Sequence, residues 1–200
     1  KGLEPLAEIL RAQATTRTIE EEATAFVDAE KGVESVQDAI DGAKDILAEV
    51  YADDADYRTK LRAMTKESGS LVAKAKDEEA DSVYEMYYDF SEPIKKLVGH
   101  RILAINRGEA EKFLTVKIEA PRQEILLWLV KQIIGNMKHD SASYLYEAIT
   151  DSYDRLIAPS IEREIRNELT EKAEEGAIGV FGKNLHQLLM QPPISGQVVL

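Results

Sequence analysis

Cysteine is absent from the 200-residue chain. Without it there is no disulfide framework, no thiolate metal site and no cysteine nucleophile. Long apolar runs are absent too, because the longest, residues 125–130, has six residues against the about 20 that a membrane-spanning helix needs. No signal-peptide pattern follows the first residue, Lys1, so we expect a cytoplasmic protein with no membrane contact.

Basic residues are too few for the chain as a whole to be a strongly basic nucleic-acid clamp. Lysine and arginine number 25, aspartate and glutamate number 37, and the net charge is −12. The apolar fraction of 44% is enough to bury a core and argues against a disordered chain. The length fits one medium domain or two small ones that share a core.

Acidic and basic residues are unevenly distributed along the chain. Residues 1–60 carry 15 acidic and 7 basic side chains, whereas residues 94–108 carry no acidic side chain. The basic residues of the second segment, which we call the basic island, are the candidate nucleic-acid-binding residues. The basic island consists of Lys95, Lys96, His100, Arg101 and Arg107.

Two interpretations of the basic island are open. In the first, its side chains contact phosphate groups. In the second, His100 and Arg101 bond to carboxylates or carbonyls inside the fold, near Asp89 or Glu92, and fix the path of the chain. The large number of acidic residues in the chain favours the second interpretation.

Apolar residues recur at helical spacing along most of the chain, which predicts a mainly α fold: a multi-helix scaffold with a minor two-stranded β element. About eight helices are expected around residues 123–134, which are apolar nearly all round and so are expected to be buried. The longest helix is predicted over residues 159–190. Alternating apolar and polar residues predict a strand over residues 113–118, and residues 70–74 are its expected partner.

The glycines and the aromatic residues are expected to have structural roles. Glycines 176, 179 and 182 lack the spacing of a phosphate loop, and we expect them to allow close helix packing or a hinge. For the aromatic cluster, packing in the core or between helices is favoured over base stacking. The aromatic cluster consists of Tyr84, Tyr87, Tyr88 and Phe90.

No arrangement of residues predicts catalysis or metal binding. The clusters of acidic residues are interpreted as solvated helix surface, because the calcium-loop spacing fails at its glycine and glutamate positions. His139 and His186 have no partner at ligand spacing, and there is no nucleophile-elbow motif. We therefore expect no catalytic residue, no metal site and no cofactor.

Eight short segments carry a resemblance to a known family. They are GLEPLA (2–7), FVD (26–28), KGV (31–33), AKDILAE (43–49), DFSEP (89–93), HRILA (100–104), RGE (107–109) and VFGKNL (180–185), which runs into VVL (198–200). In this order they resemble the Tex family of bacterial transcription accessory proteins, which is related to a eukaryotic transcription elongation factor. Gly99 departs from the family, which often has serine there.

The resemblance implies a nucleic-acid-associated factor that acts in transcription and has no established enzymatic activity. Family members continue into an RNase H-like domain, helix-hairpin-helix modules and a C-terminal OB-fold RNA-binding domain. Residues 1–190 would thus be a Tex-like N-terminal helical region with helix-turn-helix-like packing. Residues 191–200 would be a linker and the first strand of a missing RNase H-like domain.

Together these observations predict the N-terminal scaffold fragment of a Tex-like transcription accessory factor, which is not an enzyme and has no small-molecule substrate. Its partner would be RNA or DNA, bound mainly through the missing C-terminal domains, with the transcription machinery as a further partner. The alternative is an acidic protein-interaction module. In that case residues 1–60 would dock a basic partner of the transcription or translation machinery.

Overall fold

The computed structural model describes residues 2–135 and 139–190. This part of the chain contains eight α-helices and three β-strands, which confirms the mainly α class. The helices are α1 (Glu4–Ala12), α2 (Ile19–Thr24), α3 (Val36–Asp53), α4 (Ala55–Ser68), α5 (Gly99–Ala110), α6 (Arg122–Ile133), α7 (Ala142–Asp151) and α8 (Ala158–Leu189). The strands are β1 (Ser70–Ala75), β2 (Asp89–Pro93) and β3 (Leu114–Glu119).

The chain divides into two compact units. The first comprises residues 1–70 and 119–164, and the second comprises residues 71–118 and the residues from Ile165 onward. Segments that are distant in sequence therefore build each unit. The expected linker and strand over residues 191–200 lie outside the described residues.

In the first unit, α3 is the helix around which the others pack, since it contacts α1, α2 and α7. The hydroxyl of Ser35 caps its start by accepting the amide N–H of Asp38 at 3.1 Å. Ile40 and Leu47 lie on its fully buried face. The prediction that residues 123–134 form the centre was wrong, because Leu127 of α6 is 71% exposed and only one face of α6 is buried.

Two other helices of this unit, α2 and α4, begin at residues whose side chains cap the backbone. The hydroxyl of Thr18 accepts the amide N–H of Glu21, and the Glu21 carboxylate accepts the amide N–H of Thr18, which forms a capping box at the start of α2. The Asp54 carboxylate accepts the amide N–H of Tyr57 at 2.9 Å at the start of α4. In both helices the cap supplies a hydrogen-bond acceptor for a first-turn N–H that has no partner within the helix, and so determines where the helix begins.

A π-helical segment, Ser152–Ile157, joins α7 to α8. Pro159 has no N–H to donate to the carbonyl four residues back, and its ring crowds that carbonyl, so a wider turn before it is favourable. The amide of Ala158 accordingly donates to the carbonyl of Tyr153, five residues back. The Ser152 hydroxyl adds a bond of 2.7 Å to the carbonyl of Ala48, which ties this segment to α3.

The sheet of the second unit has three antiparallel strands in the order β2-β1-β3. The amide of Ala75 donates to the carbonyl of Tyr88, and the amide of Lys76 donates to that of Phe113, both at 2.9 Å. The predicted strands are confirmed as β1 and β3, but the expectation of only two strands was wrong because it omitted β2. The core against this sheet consists of Leu71, Ala73, Tyr84, Tyr87, Ile105, Leu114 and Val116.

The long helix α8 confirms the prediction of a helix over residues 159–190 to within one residue at each end. Ile165 and Ala173 are buried, whereas every side chain from residue 174 to 190 is exposed. Of the two roles predicted for glycines 176, 179 and 182, close packing does not occur among the described residues, because a Cβ built on any of them would meet no atom within 4 Å, and the hinge stays a prediction. Among the described residues, no helix combines the length and the apolar character required to cross a bilayer.

Candidate nucleic-acid interface

The basic island lies in the second unit, over the turn that follows β2 and the helix α5. Lys95 and Lys96 lie in a single 3-10 turn, Ile94–Lys96, whose Ile94 side chain is buried. His100, Arg101 and Arg107 lie on α5. Four of these five residues are exposed, and Arg101 is half-buried. The fold therefore gathers the candidates in one segment and leaves four of them open to solvent.

The opposite face of α5 holds the helix in place. Ile102 and Ile105 are buried, and Gly108 brings the backbone of α5 close to the side chain of Leu114 on β3. At the start of α5, a Cβ on Gly99 would lie 3.3 Å from the Cα of Ala173 on α8. The missing side chain of Gly99 thus permits the close approach of the two helices, and a Cβ at this position would press against the backbone of α8.

Arg101 forms an ion pair with a carboxylate of the same unit, and its side chain is 41% exposed. Its guanidinium lies 2.7 Å from the Glu92 carboxylate, which confirms for Arg101 the interpretation that it bonds to a carboxylate. The second oxygen of that carboxylate is buried and has no hydrogen-bond partner among the described residues. Removing Arg101 would therefore leave a largely buried carboxylate without its cation.

A second ionic contact in this region, which the sequence did not suggest, positions α5. The guanidinium of Arg166 on α8 makes two bonds to the Glu109 carboxylate on α5 and a third, at 3.4 Å, to the side-chain oxygen of Asn106. The amide of Asn106 in turn donates to the hydroxyl of Thr170 at 2.8 Å. This network fixes the rotation of α5, and hence the direction in which the basic island faces.

His100 borders an open, mainly apolar groove of about 620 Å³ between the start of α5 and α8. From α5, Gly99 and Leu103 complete that wall, and Ala173, Gly176 and Phe181 are among the lining residues of α8. No local pattern in the sequence indicates this groove, because its two walls are about 75 residues apart along the chain.

The aromatic cluster belongs to the core, as predicted. Tyr84 and Tyr87 are buried, and the rings of Tyr87 and Phe90 meet edge to face with centroids 5.4 Å apart. Tyr88 packs partly buried against the same core. This arrangement accounts for the cluster without base stacking.

Histidines and acidic residues in the described ranges form no group of three or more that could hold a metal ion. His139 instead bonds to the Ser141 hydroxyl at 2.7 Å and to the carbonyl of Thr15 at 2.8 Å. It thus connects the loop before α7 to the segment between α1 and α2.

Comparison with known proteins matches this chain to one family. A family model described as Tex central region-like matches residues 14–181. The chain is 46% identical over 203 residues to an uncharacterised Bacillus subtilis protein, YdcI. The matched region covers 100% of this chain and 28% of that protein. It is 33% identical over 184 residues to human S1 RNA-binding domain-containing protein 1, and this match covers 85% of the chain and 18% of the human protein.

A third relative carries a functional name. The chain is 29% identical over 200 residues to the transcriptional accessory protein Tex of Neisseria gonorrhoeae, covering 96% of this chain and 26% of that protein. The chain therefore spans between 18% and 28% of the length of these three relatives. Because the family model covers most of its residues, and the match with YdcI runs along its whole length, the chain belongs to the Tex family.

Proposed function

We propose that this chain is a scaffold within a Tex-like transcription accessory factor, which binds nucleic acid as a longer protein, and that the chain itself is not an enzyme. Two relatives support the proposal: one is named a transcriptional accessory protein, and the other is named for an S1 RNA-binding domain. Each is several times longer than this chain. A factor of this kind in bacterial transcription would work in the cytoplasm.

The observation that carries the scaffold role is the end of α8. Seven large apolar side chains on this part of the helix and directly after it are between 44% and 75% exposed. Apolar patches of this kind mark surfaces that other protein segments cover. The helix would thus brace further parts of the longer protein. The seven residues are Ile178, Val180, Phe181, Leu185, Leu188, Leu189 and Met190.

The basic island would add an auxiliary phosphate contact. Lys95, Lys96, His100 and Arg107 are exposed in one segment, and no acidic residue interrupts it. Arg101 would hold this segment in place through its ion pair with Glu92. Lysine and arginine contacts to phosphate release counterions, and each contributes about 0.9 to the slope of log affinity against log salt. The helix-turn-helix-like packing that the resemblance implies stays a prediction.

A titration of the chain against labelled duplex DNA and single-stranded RNA tests this contact. We would compare the wild type with the triple variant Lys95→Ala, Lys96→Ala, Arg107→Ala at several salt concentrations. The control variant removes three exposed lysines elsewhere, at Lys60, Lys117 and Lys131, and so changes the net charge equally. We expect weaker binding and a shallower salt slope for the first variant only. Equal losses in both variants, or no binding by the wild type, would remove the basic island from the proposal.

The alternative function, docking of a basic partner by residues 1–60, has its own support in the first unit. Asp41 and Asp45 on α3 line one groove together with Glu147 and Asp151 on α7, and Lys44 and Arg155 form ion pairs with these carboxylates. The side chains of Asp45 and Glu147 are 71% and 59% exposed. A pull-down with a candidate basic partner should lose its signal when Asp45 and Asp41 are changed to Asn, and it should keep the signal when Asp53 and Asp56 are changed instead.

A further inference from the structure

The connection between β1 and β2 is long for two neighbouring antiparallel strands, and it is held in a fixed conformation. We call residues 77–88 the 77–88 loop. The phenol of Tyr88 donates to the carbonyl of Ala80 at 2.5 Å and lies 2.8 Å from the Ser82 hydroxyl. That hydroxyl accepts the amide N–H of Tyr84 at 3.1 Å. Tyr84, which lies between Val83 and Met86, and Tyr87, which directly follows Met86, are buried in the core of the second unit, so this segment is anchored to the core.

Two apolar side chains of this loop point away from the core. Val83 is 85% exposed, more than any other large apolar side chain among the described residues, and Met86 is 74% exposed. They flank the buried Tyr84 and lie three residues apart, where the chain enters the short 3-10 turn Glu85–Tyr87. A loop that is ordered from inside and yet keeps two such side chains in water has the geometry of a contact surface rather than of a folding nucleus.

The charge around these two side chains selects the partner. Residues 77–92 contain seven acidic residues and no lysine, arginine or histidine. Asp77, the first acidic residue of the loop, accepts the amide N–H of Glu79. The other four acidic residues of the loop are exposed and form no ion pair within the described part of the chain: Glu78, Glu79, Asp81 and Glu85. A polyanion such as nucleic acid would be repelled here, whereas a cationic surface would be attracted.

We propose that the 77–88 loop docks a basic protein partner, whose apolar depression receives Val83 and Met86 and whose surrounding lysines and arginines face the four carboxylates. The apolar centre with a charged rim matches the anatomy of protein interfaces. Methionine adapts its shape to irregular apolar surfaces, and the rim charges steer the encounter. This inference does not depend on the nucleic-acid contact proposed above, because the two surfaces carry opposite charge.

Methionine methyl groups provide a site-resolved test. The chain has four methionines, and with ¹³C-methyl labels Met86 reports on the loop while Met190 reports on the exposed end of α8. The probe is an amphipathic helical peptide of leucine and lysine. Oligolysine of equal charge and a leucine–glutamate peptide serve as comparison ligands. We expect a saturable shift of the Met86 signal with the leucine–lysine peptide, a weaker shift with oligolysine and none with the acidic peptide.

Two variants separate the apolar from the charged contribution. Val83→Ser should weaken the affinity measured at Met86 about tenfold, which corresponds to about 1.4 kcal/mol, whereas Ile178→Ser on α8 should leave it unchanged. Neutralising Glu78, Glu79, Asp81 and Glu85 as amides should weaken binding and flatten its salt dependence. Neutralising four exposed carboxylates elsewhere should not. The control set is Asp56, Glu171, Glu174 and Glu175.

Several results would overturn the proposal. These are equal binding of oligolysine and the leucine–lysine peptide, no effect of Val83→Ser, or a shift at Met190 in place of Met86. A photo-crosslinker at position 83 gives a second readout in the longer protein. Crosslinks to peptides rich in lysine, arginine and apolar residues of another protein support the proposal. Crosslinks to nucleic acid, to a second copy or to the same polypeptide contradict it.

Discussion

Glu109 and Arg166 form a two-pronged ion pair between α5 and α8. One guanidinium nitrogen lies 3.1 Å from a carboxylate oxygen, and the other makes a shorter bond to the second oxygen. Such paired bonds fix both direction and distance more strictly than a single contact. Since Arg101 and Arg107 share α5 with Glu109, this ion pair also determines how the basic island is presented.

Arg166→Ala should therefore lower the free energy of unfolding by about 1–2 kcal/mol. The Glu109 and Arg166 side chains are 34% and 23% exposed, so solvent reduces the cost below that of breaking a fully buried pair. Urea unfolding of Arg166→Ala, Glu109→Ala and the double variant would give the coupling energy. Arg163→Ala, an exposed arginine on the same helix, is the matched control and should change stability by less than about 0.5 kcal/mol. A coupling energy near zero would refute the positioning role.

Two glycines inside helices should respond to alanine with opposite sign. A Cβ at position 108 would lie 2.7 Å from Leu114 and 3.1 Å from Tyr84, so Gly108→Ala should destabilise the protein by about 1–3 kcal/mol through overpacking. At position 179 a Cβ meets nothing within 4 Å, so Gly179→Ala should stabilise α8 by up to about 1 kcal/mol. Thermal unfolding of both variants checks the prediction, and equal signs would contradict it.

Local signals in the sequence were sufficient for most of the fold. Cap residues such as Thr18 and the apolar spacing of α3 act within a few residues, and a helix follows each of these signals in the structure. The strand β2 was missed because its sequence, DFSEP, is short, polar and ends in proline, and its pairing with β1 depends on the tertiary fold. Leu127 illustrates the same limit, since apolar character on all sides of α6 does not specify which side is buried.

The same difference between local and distant information applies to the candidate site. Arg101 and Glu92 are nine residues apart, and the acidic composition was enough to suggest their pairing. Arg166 and Glu109 are 57 residues apart, and no pattern along the chain connects them. The exposure of Val83 and Met86 could not be predicted either, because it follows from the burial of the tyrosines beside them.

Arg101 should prove to be a structural residue of the basic island rather than a phosphate contact. Arg101→Ala leaves the Glu92 carboxylate largely buried without its cation, and we expect a loss of about 1 kcal/mol in the free energy of unfolding. Lys96→Ala, at an exposed neighbour, should change it by less than about 0.5 kcal/mol. Urea unfolding measures both. If Glu92→Gln restored the stability of Arg101→Ala, the cause would be the unpaired charge. A stable Arg101→Ala protein would argue for a direct ligand contact instead.

The contact between Tyr144 on α7 and Glu20 on α2 should make the stability of the protein fall both at low pH and at high pH. The Tyr144 phenol donates a short hydrogen bond to the Glu20 carboxylate, which lowers the pKa of Glu20 and, together with burial, raises the pKa of Tyr144 to about 12. The stabilisation by Glu20 is thus complete above its ordinary pKa and is lost as the pH falls. The stabilisation by Tyr144 is complete below a pH of about 10 and is lost as the pH rises through about 12. The difference in absorbance at 295 nm between wild type and Tyr144→Phe should titrate with a midpoint near pH 12. Glu20→Gln should lower that midpoint. A midpoint near pH 10 in the wild type would show that the hydrogen bond does not form.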